Sequence, residues 1–247
     1  MVLSKARQRC TCPGAPFARV PGTLGKDDIQ VDITTMMQML GEGFITSLQI
    51  FALTLVGALP LGVVVVALRM CRFAPVRLIA RAYISVMRGT PLMLQMFAIY
   101  FMPFYVFGVQ LTPSSKWQAA IIAFIVNYAA YFAEIYRSGL QSVPRGQYEA
   151  AEVLGYSKFQ TLVHIVVPQV VKRIMPAIGN EVITLVKDTS LAFAIGVGEM
   201  FSTAKALVAS QVSMVPFVIA AAIYWAFNFA VELVLGSIEK RLAYYRD

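Results

Sequence analysis

Charge is scarce in this sequence. Only 14% of its 247 residues are Asp, Glu, Lys or Arg, while 58% are hydrophobic. Soluble domains carry about 25% charged and about 45–50% apolar residues. One water-soluble core of this size cannot hide so much apolar surface, so lipid is the solvent. Histidine is almost missing: His164 stands alone, and without a paired histidine–carboxylate motif it is a poor basis for a membrane-embedded enzyme. The three cysteines are Cys10, Cys12 and Cys71. A lone C-x-C with one histidine cannot furnish a four-ligand zinc site. A G-x-x-x-x-G-K-[ST] phosphate loop occurs nowhere in the sequence, so it holds no motif of that kind for ATP. No repeat of 20–50 residues is evident. That counts against the repeat-built secondary transporters.

What the sequence has in abundance is long apolar runs, and a helix needs about 20 such residues to cross the hydrocarbon. Phe44–Leu68 and Gly89–Phe107 contain no formal charge, and Trp117–Ala133 continues past Glu134 to Tyr136. Val215–Val231 extends beyond Glu232 to Ile238, and Ile174–Gly198 is apolar but broken by Glu181, Lys187 and Asp188. These runs predict an all-α integral membrane protein of about five transmembrane helices. Its domains are a disordered tail at 1–26, an amphipathic helix on the membrane surface at 27–43 and a membrane domain at 44–240. The tail is basic and carries Pro13, Pro16 and Pro21, with no apolar core of the kind a signal peptide needs. Ile29, Ile33, Met36, Met37 and Leu40 stand at helical spacing after Asp27 and Asp28.

The net charge of +8 follows membrane topology rather than nucleic acid. Arg69, Arg72, Arg77, Arg81 and Arg88 lie between the first two runs with no acid among them. More basic residues sit in 137–173 and at Lys240, Arg241 and Arg246, whereas the intervening connections hold only Lys116 and Lys205. Basic residues favour the cytoplasmic side, which puts the C-terminus inside and, with five spans, the N-terminus outside. The basic tail runs against that orientation.

The longest polar interval, about 137–173, reads as two short helices, Gln147–Leu154 and Ser157–Val166, parted by Gly155. Pro168 is expected to break or bend the second. Ala150 and Ala151 offer a narrow helix face with Glu149 at its edge, open to a partner or simply part of a connector. Within the membrane, ionisable groups default to functional candidates. Glu181 and Asp188 are seven residues apart, so on a continuous helix they share a face about 10 Å apart. Thr184 lies between them, with Asn180 and Thr189 alongside. This polar face suits a lined pathway, and equally an interhelical hydrogen-bond network or a subunit contact. Glu134 and Arg137 form a helix-face pair read as structural.

Glu149-Ala150-Ala151, then Gly155, then Ile165-Val-Val-Pro168 resembles the EAA loop of ABC importer permeases, with Val167 where leucine is usual. Arg88-Gly-Thr-Pro91, Ala130-Tyr-Phe-Ala-Glu134, Pro144-Arg-Gly-Gln147, Asn180 and Lys187-Asp-Thr-Ser-Leu191 resemble the polar amino acid subfamily, over roughly residues 40–240. The resemblance implies a type I ABC permease fold in the bacterial cytoplasmic membrane. It implies a second permease subunit, identical or homologous, and an extracytoplasmic binding protein that delivers substrate. A dimer of ATP-binding subunits would dock on Glu149, Ala150, Ala151, Gly155, Ile165 and Pro168. ATP and magnesium would reside on those partners, leaving this chain without cofactor or catalytic residue. The alternative is a self-contained ion-coupled transporter.

Overall fold

The computed structural model describes residues 32–242, which contain eight helices and no strand. The tail expected at 1–26 lies outside the described residues. α1 (Ile33–Arg69) is one unbroken helix of 37 residues that tolerates Pro60 in its interior. The expected change from a surface helix ending at 43 to a span starting at 44 is therefore absent for the described part. Gly43 explains the continuity: a Cβ there would lie 2.8 Å from Met200 Cα, so the missing side chain lets α1 run straight past a neighbouring helix. Glycines at helix crossings allow backbones to approach in this way when no water is available to drive packing.

The arginine-rich stretch expected as a connection is a helix, α2 (Ala74–Gly89). Pro75 sits in its first turn, where a missing N–H costs nothing. Arg77, Arg81 and Arg88 recur at four and seven residues and so share one side, while Ala80 and Ile84 are buried. α3 (Leu92–Phe107) follows after a sharp bend of 112° at Thr90 and Pro91, so the second apolar run begins at Leu92. Gly108, in the left-handed region at φ 66°, ends it. Pro113 and a reciprocal Thr112–Ser115 capping box start α4 (Pro113–Gln141).

α5 (Arg145–Val153) is short, and Gly155 at φ 79° reverses the chain. The second half of the polar interval is not a separate short helix. It is the beginning of α6 (Lys158–Ile195), which runs on through Pro168. A π-helical turn at Thr161–Val166 precedes the proline, and a 3₁₀ turn at Thr189–Ile195 ends the element. Because π geometry shifts hydrogen bonds to i→i+5, the ladder is already interrupted where Pro168 lacks its donor. The connection expected at 199–214 contains a further helix, α7 (Met200–Gln211), and α8 (Val215–Leu242) completes the bundle. Four of the described helices are long and apolar enough to cross a membrane, or five if the bent α2–α3 pair counts as one broken span.

The main core joins α1, α3, α4 and α6 through Ile50, Met96, Phe124, Tyr128, Phe132 and Leu185. Gly62 fits against Phe132 and Ala129 of α4, where a Cβ would come within 2.9 Å of Phe132 Cβ. A second cluster, Met36, Leu40, Met200, Ala204, Leu207 and Ala220, ties the start of α1 to α7 and α8. α8 leaves most of its apolar surface uncovered, including Trp225 and Phe229, as a helix facing lipid or another membrane subunit does.

Candidate translocation and coupling sites

The central arrangement is a cavity of about 240 Å³ between α4 and α6, lined by Thr90, Asn127, Tyr128, Tyr131, Glu181, Thr184 and Asp188 among others. The seven-residue spacing of Glu181 and Asp188 places both carboxylates on it. The Tyr128 hydroxyl donates a 2.8 Å hydrogen bond to Asp188 Oδ2, which fixes that carboxylate against α4. Two of the residues expected on the polar face do not line this cavity. Asn180 is exposed elsewhere on the helix, its carbonyl accepting from the Thr184 hydroxyl at 2.9 Å. Thr189 is buried where α6 tightens to 3₁₀ geometry, and its hydroxyl donates to the Val186 carbonyl at 2.8 Å. Lys187 points away, exposed.

A second cavity, of about 330 Å³, adjoins the first through Tyr131 and Glu181 and is also lined by Arg88, Glu134 and Arg173. Glu134 is bridged by Arg137 of the same helix at 2.5 Å and by Arg69 of α1 at 3.4 Å. The first partner follows from helical spacing. The second is visible only once α1 and α4 are packed.

The break at Arg88-Gly-Thr-Pro91 is held by two amides that sequence reasoning passed over. Gln95 Nε2 donates to the Met87 and Thr90 carbonyls at 3.0 and 3.1 Å and to Thr90 Oγ1 at 2.8 Å. Asn127 Nδ2 donates to the same Met87 carbonyl at 3.0 Å and to Gln95 Oε1 at 2.9 Å. A helix that stops inside apolar surroundings leaves carbonyls without partners, and buried amides supply them. The signal was present as an isolated Gln and an isolated Asn within apolar runs.

Glu199, fully buried, was also missed. Its carboxylate caps α7, accepting the Phe201 and Ser202 N–H groups at 2.7 Å each, and the Tyr224 hydroxyl donates to it at 3.3 Å. Burial pushes its pKa up to about 7 against those stabilising hydrogen bonds.

At the other end of the chain's polar interval, Ala150 and Ala151 do not form one accessible face. Glu149 and Ala150 are exposed, whereas Ala151 is buried against the start of α6. Gly155 N–H donates to the Glu152 carbonyl and Tyr156 N–H to the Ala151 carbonyl, each at 3.0 Å, closing α5. Ile165 is half-buried within the π turn and Pro168 is exposed just beyond it. Around this turn Val153 (88% exposed), Leu154 (73%) and Phe159 (73%) stand bare. Large exposed apolar patches are a feature of interaction sites.

Comparison with known proteins identifies the family. The family model of the binding-protein-dependent transport system inner membrane component matches residues 58–244. The L-cystine transport system permease protein TcyB of Bacillus subtilis (strain 168) is 36% identical over 209 residues, 84% of this chain and 88% of the relative. The arginine transport system permease protein ArtQ of the same organism is 35% identical over 202 residues, 81% and 91% of the two chains. Among solved structures, an amino acid ABC transporter crystallised with histidines superposes with a TM-score of 0.77 at 31% identity, covering 86% of this chain and 99% of that one. The MetNI methionine ABC transporter in an inward-facing form shares the fold, with a TM-score of 0.69 at 19% identity. The chain therefore belongs to the inner membrane components of binding-protein-dependent transport systems: it is a multi-pass ABC importer permease, not a self-contained ion-coupled transporter.

Proposed function

We propose that this permease passes polar amino acids, and that Glu181, Thr184, Asp188 and the Asp188-bound Tyr128 line the route. The observation that carries the reading is the cavity between α4 and α6, where two carboxylates seven residues apart face one void beside a tyrosine hydroxyl. Carboxylates at membrane depth are expensive unless solvated or paired with a cation, and the ammonium group of an amino acid is such a cation. The names of the relatives, which include L-cystine and arginine transport, support an amino acid cargo.

Glu149, Ala150, Gly155, Ile165 and Pro168 form the coupling surface, with Ala151 beneath it as packing. A pair of ATP-binding subunits docks on the bare Val153, Leu154 and Phe159 and holds the ATP and magnesium. This chain contributes no catalytic group. A second permease, self or homologous, covers the apolar face of α8, and an extracytoplasmic binding protein delivers the cargo. The coupling loop, 137–173, faces the cytoplasm with the C-terminus, and the N-terminus lies outside.

The test is reconstitution into vesicles with and without the ATPase partner and the binding protein, following labelled amino acids. Uptake is expected only with both partners and ATP. Concentrative uptake by the permease alone would overturn the reading, and so would ATP-driven uptake that excludes every amino acid offered.

A further inference from the structure

A third void, of about 480 Å³, opens beside α2 and carries a different chemistry. Arg69, Arg81 and Arg88 line it together with Ser85, Tyr131 and Glu134. Three guanidinium groups meet one carboxylate there, and that carboxylate is also bridged by Arg137. The excess charge is positive. Arg88 is held in place over the Tyr131 ring, 5.3 Å from its centroid. Arg69 and Arg81 line neither of the two cavities described above.

The level of this void in the bundle is fixed by its neighbours. Val65 and Val66 near the end of α1 pack with Ile84 of α2 and with Ala130 and Ala133 of α4. It therefore sits toward the ends of α1 and α4 from which the arginine turn and the α5 loop depart. α2 is sharply two-sided. One side carries the arginines, and next to it Leu78, Ile79 and Val86 are 66%, 69% and 54% exposed. A helix with a basic side and a bare apolar side lies in the plane of a membrane surface, its apolar side among acyl chains.

We propose that the Arg69–Arg81–Arg88 void binds the phosphate of an anionic phospholipid, with an acyl chain laid over Leu78, Ile79 and Val86. Guanidinium groups match phosphate oxygens in paired, charge-assisted hydrogen bonds, and Ser85 adds a hydroxyl donor. A free phosphate would satisfy the arginines but leave the neighbouring apolar side unexplained, so the lipid is the occupant that uses both. The site shares Tyr131 with the cavity of the proposed route, but Arg69 and Arg81 do not line that cavity, and the lipid assignment does not depend on the cargo.

The experiment is native mass spectrometry of the purified, assembled transporter released from nanodiscs of equal phosphatidylglycerol and phosphatidylcholine. Wild type is expected to retain phosphatidylglycerol preferentially. Arg81→Gln, at an exposed position, should cut that retention about fivefold, the effect of one basic residue at a membrane surface. Arg81→Lys should keep most of it. Arg72→Gln removes another exposed charge, one that does not line the void, and should change retention little. Equal losses in Arg81→Gln and Arg72→Gln would mean diffuse surface attraction and overturn the site. Retention of added inorganic phosphate without preference between the lipids would overturn the lipid assignment.

Discussion

Asp188 shows how much a single side chain depends on its surroundings. Its place in the cavity rests on the Tyr128 hydroxyl across the helix interface and on Glu181 two turns earlier, and its role on the route is the proposal. Asp188→Asn keeps the size and a hydrogen-bonding oxygen but removes the charge that would meet an ammonium group. Uptake by the assembled transporter is expected to fall at least tenfold, with assembly and ATPase stimulation kept. Tyr128→Phe, which frees the carboxylate from its anchor, should fall less. Loss of assembly in Asp188→Asn would make the residue interhelical glue and remove it from the route. The i, i+7 spacing of Glu181 and Asp188 was readable in the sequence because helical geometry alone fixes which face they share. Asn180 and Thr189 were misplaced for two reasons. Asn180 lies just off that face, and Thr189 falls where the helix tightens and rotates its side chain into the core.

Elements were legible where apolarity ran long and obscure where polar residues formed helices. The runs at 44–68, 117–136 and 215–238 correspond to α1, α4 and α8 because length and apolarity suffice to specify a span. α2 was read as a connection because five arginines outweighed the periodicity that Arg77, Arg81 and Arg88 actually display. α7 went unseen because its cap is a glutamate, whereas Ser, Thr, Asp and Asn are the usual caps. Two predictions belong at this scale. Gln95→Leu removes a donor from the Thr90 carbonyl and the acceptor of a buried Asn127 N–H, and an orphaned buried polar group costs about 1–3 kcal/mol. The variant should denature at lower temperature, and pairing it with Asn127→Leu should show less than the sum of the two losses, since each single variant already breaks the Asn127–Gln95 hydrogen bond. Additive losses would show that the two amides act independently.

The Glu199 cap gives a pH signature with a definite sign. Burial raises its folded pKa from 4.5 to about 7, so the folded protein holds the proton more tightly than the unfolded chain. Its contribution is fully present below about pH 4.5 and is lost as pH rises through about 7. Thermal midpoints of wild type relative to Glu199→Gln should therefore decline over that window and level off above it. A difference independent of pH would show that the cap does not titrate there.

For the whole molecule, the proposed coupling surface is the part expected to meet the ATPase. Gly155 holds φ 79°, and a Cβ at that position would meet nothing within 4 Å, so backbone strain, not crowding, decides what a side chain does there. Gly155→Val costs about 1–2 kcal/mol in that conformation. It should leave membrane insertion intact while weakening co-purification with the ATPase subunits and lowering ATP-driven uptake. Unchanged co-purification would reduce the loop to a connector. The motif spacing around Gly155 was legible because a chain reversal demands glycine. The bare Val153, Leu154 and Phe159 were not, since the same apolar letters elsewhere in this sequence are core at some positions and uncovered helix surface at others, as at Leu185 and Val218.

One helix connects these places. α6 begins at the proposed coupling loop and carries Asp188 near its far end, with Pro176 between them. A proline inside a helix removes one rung of the ladder and makes that turn the easiest to flex. Asp188 lies twelve residues beyond it, about 18 Å along the axis. A flexure of about 10° at Pro176 would carry the carboxylate sideways by about 3 Å. Tyr128 belongs to α4, so with α4 fixed a swing of that size would part the hydroxyl from the carboxylate it now holds at 2.8 Å.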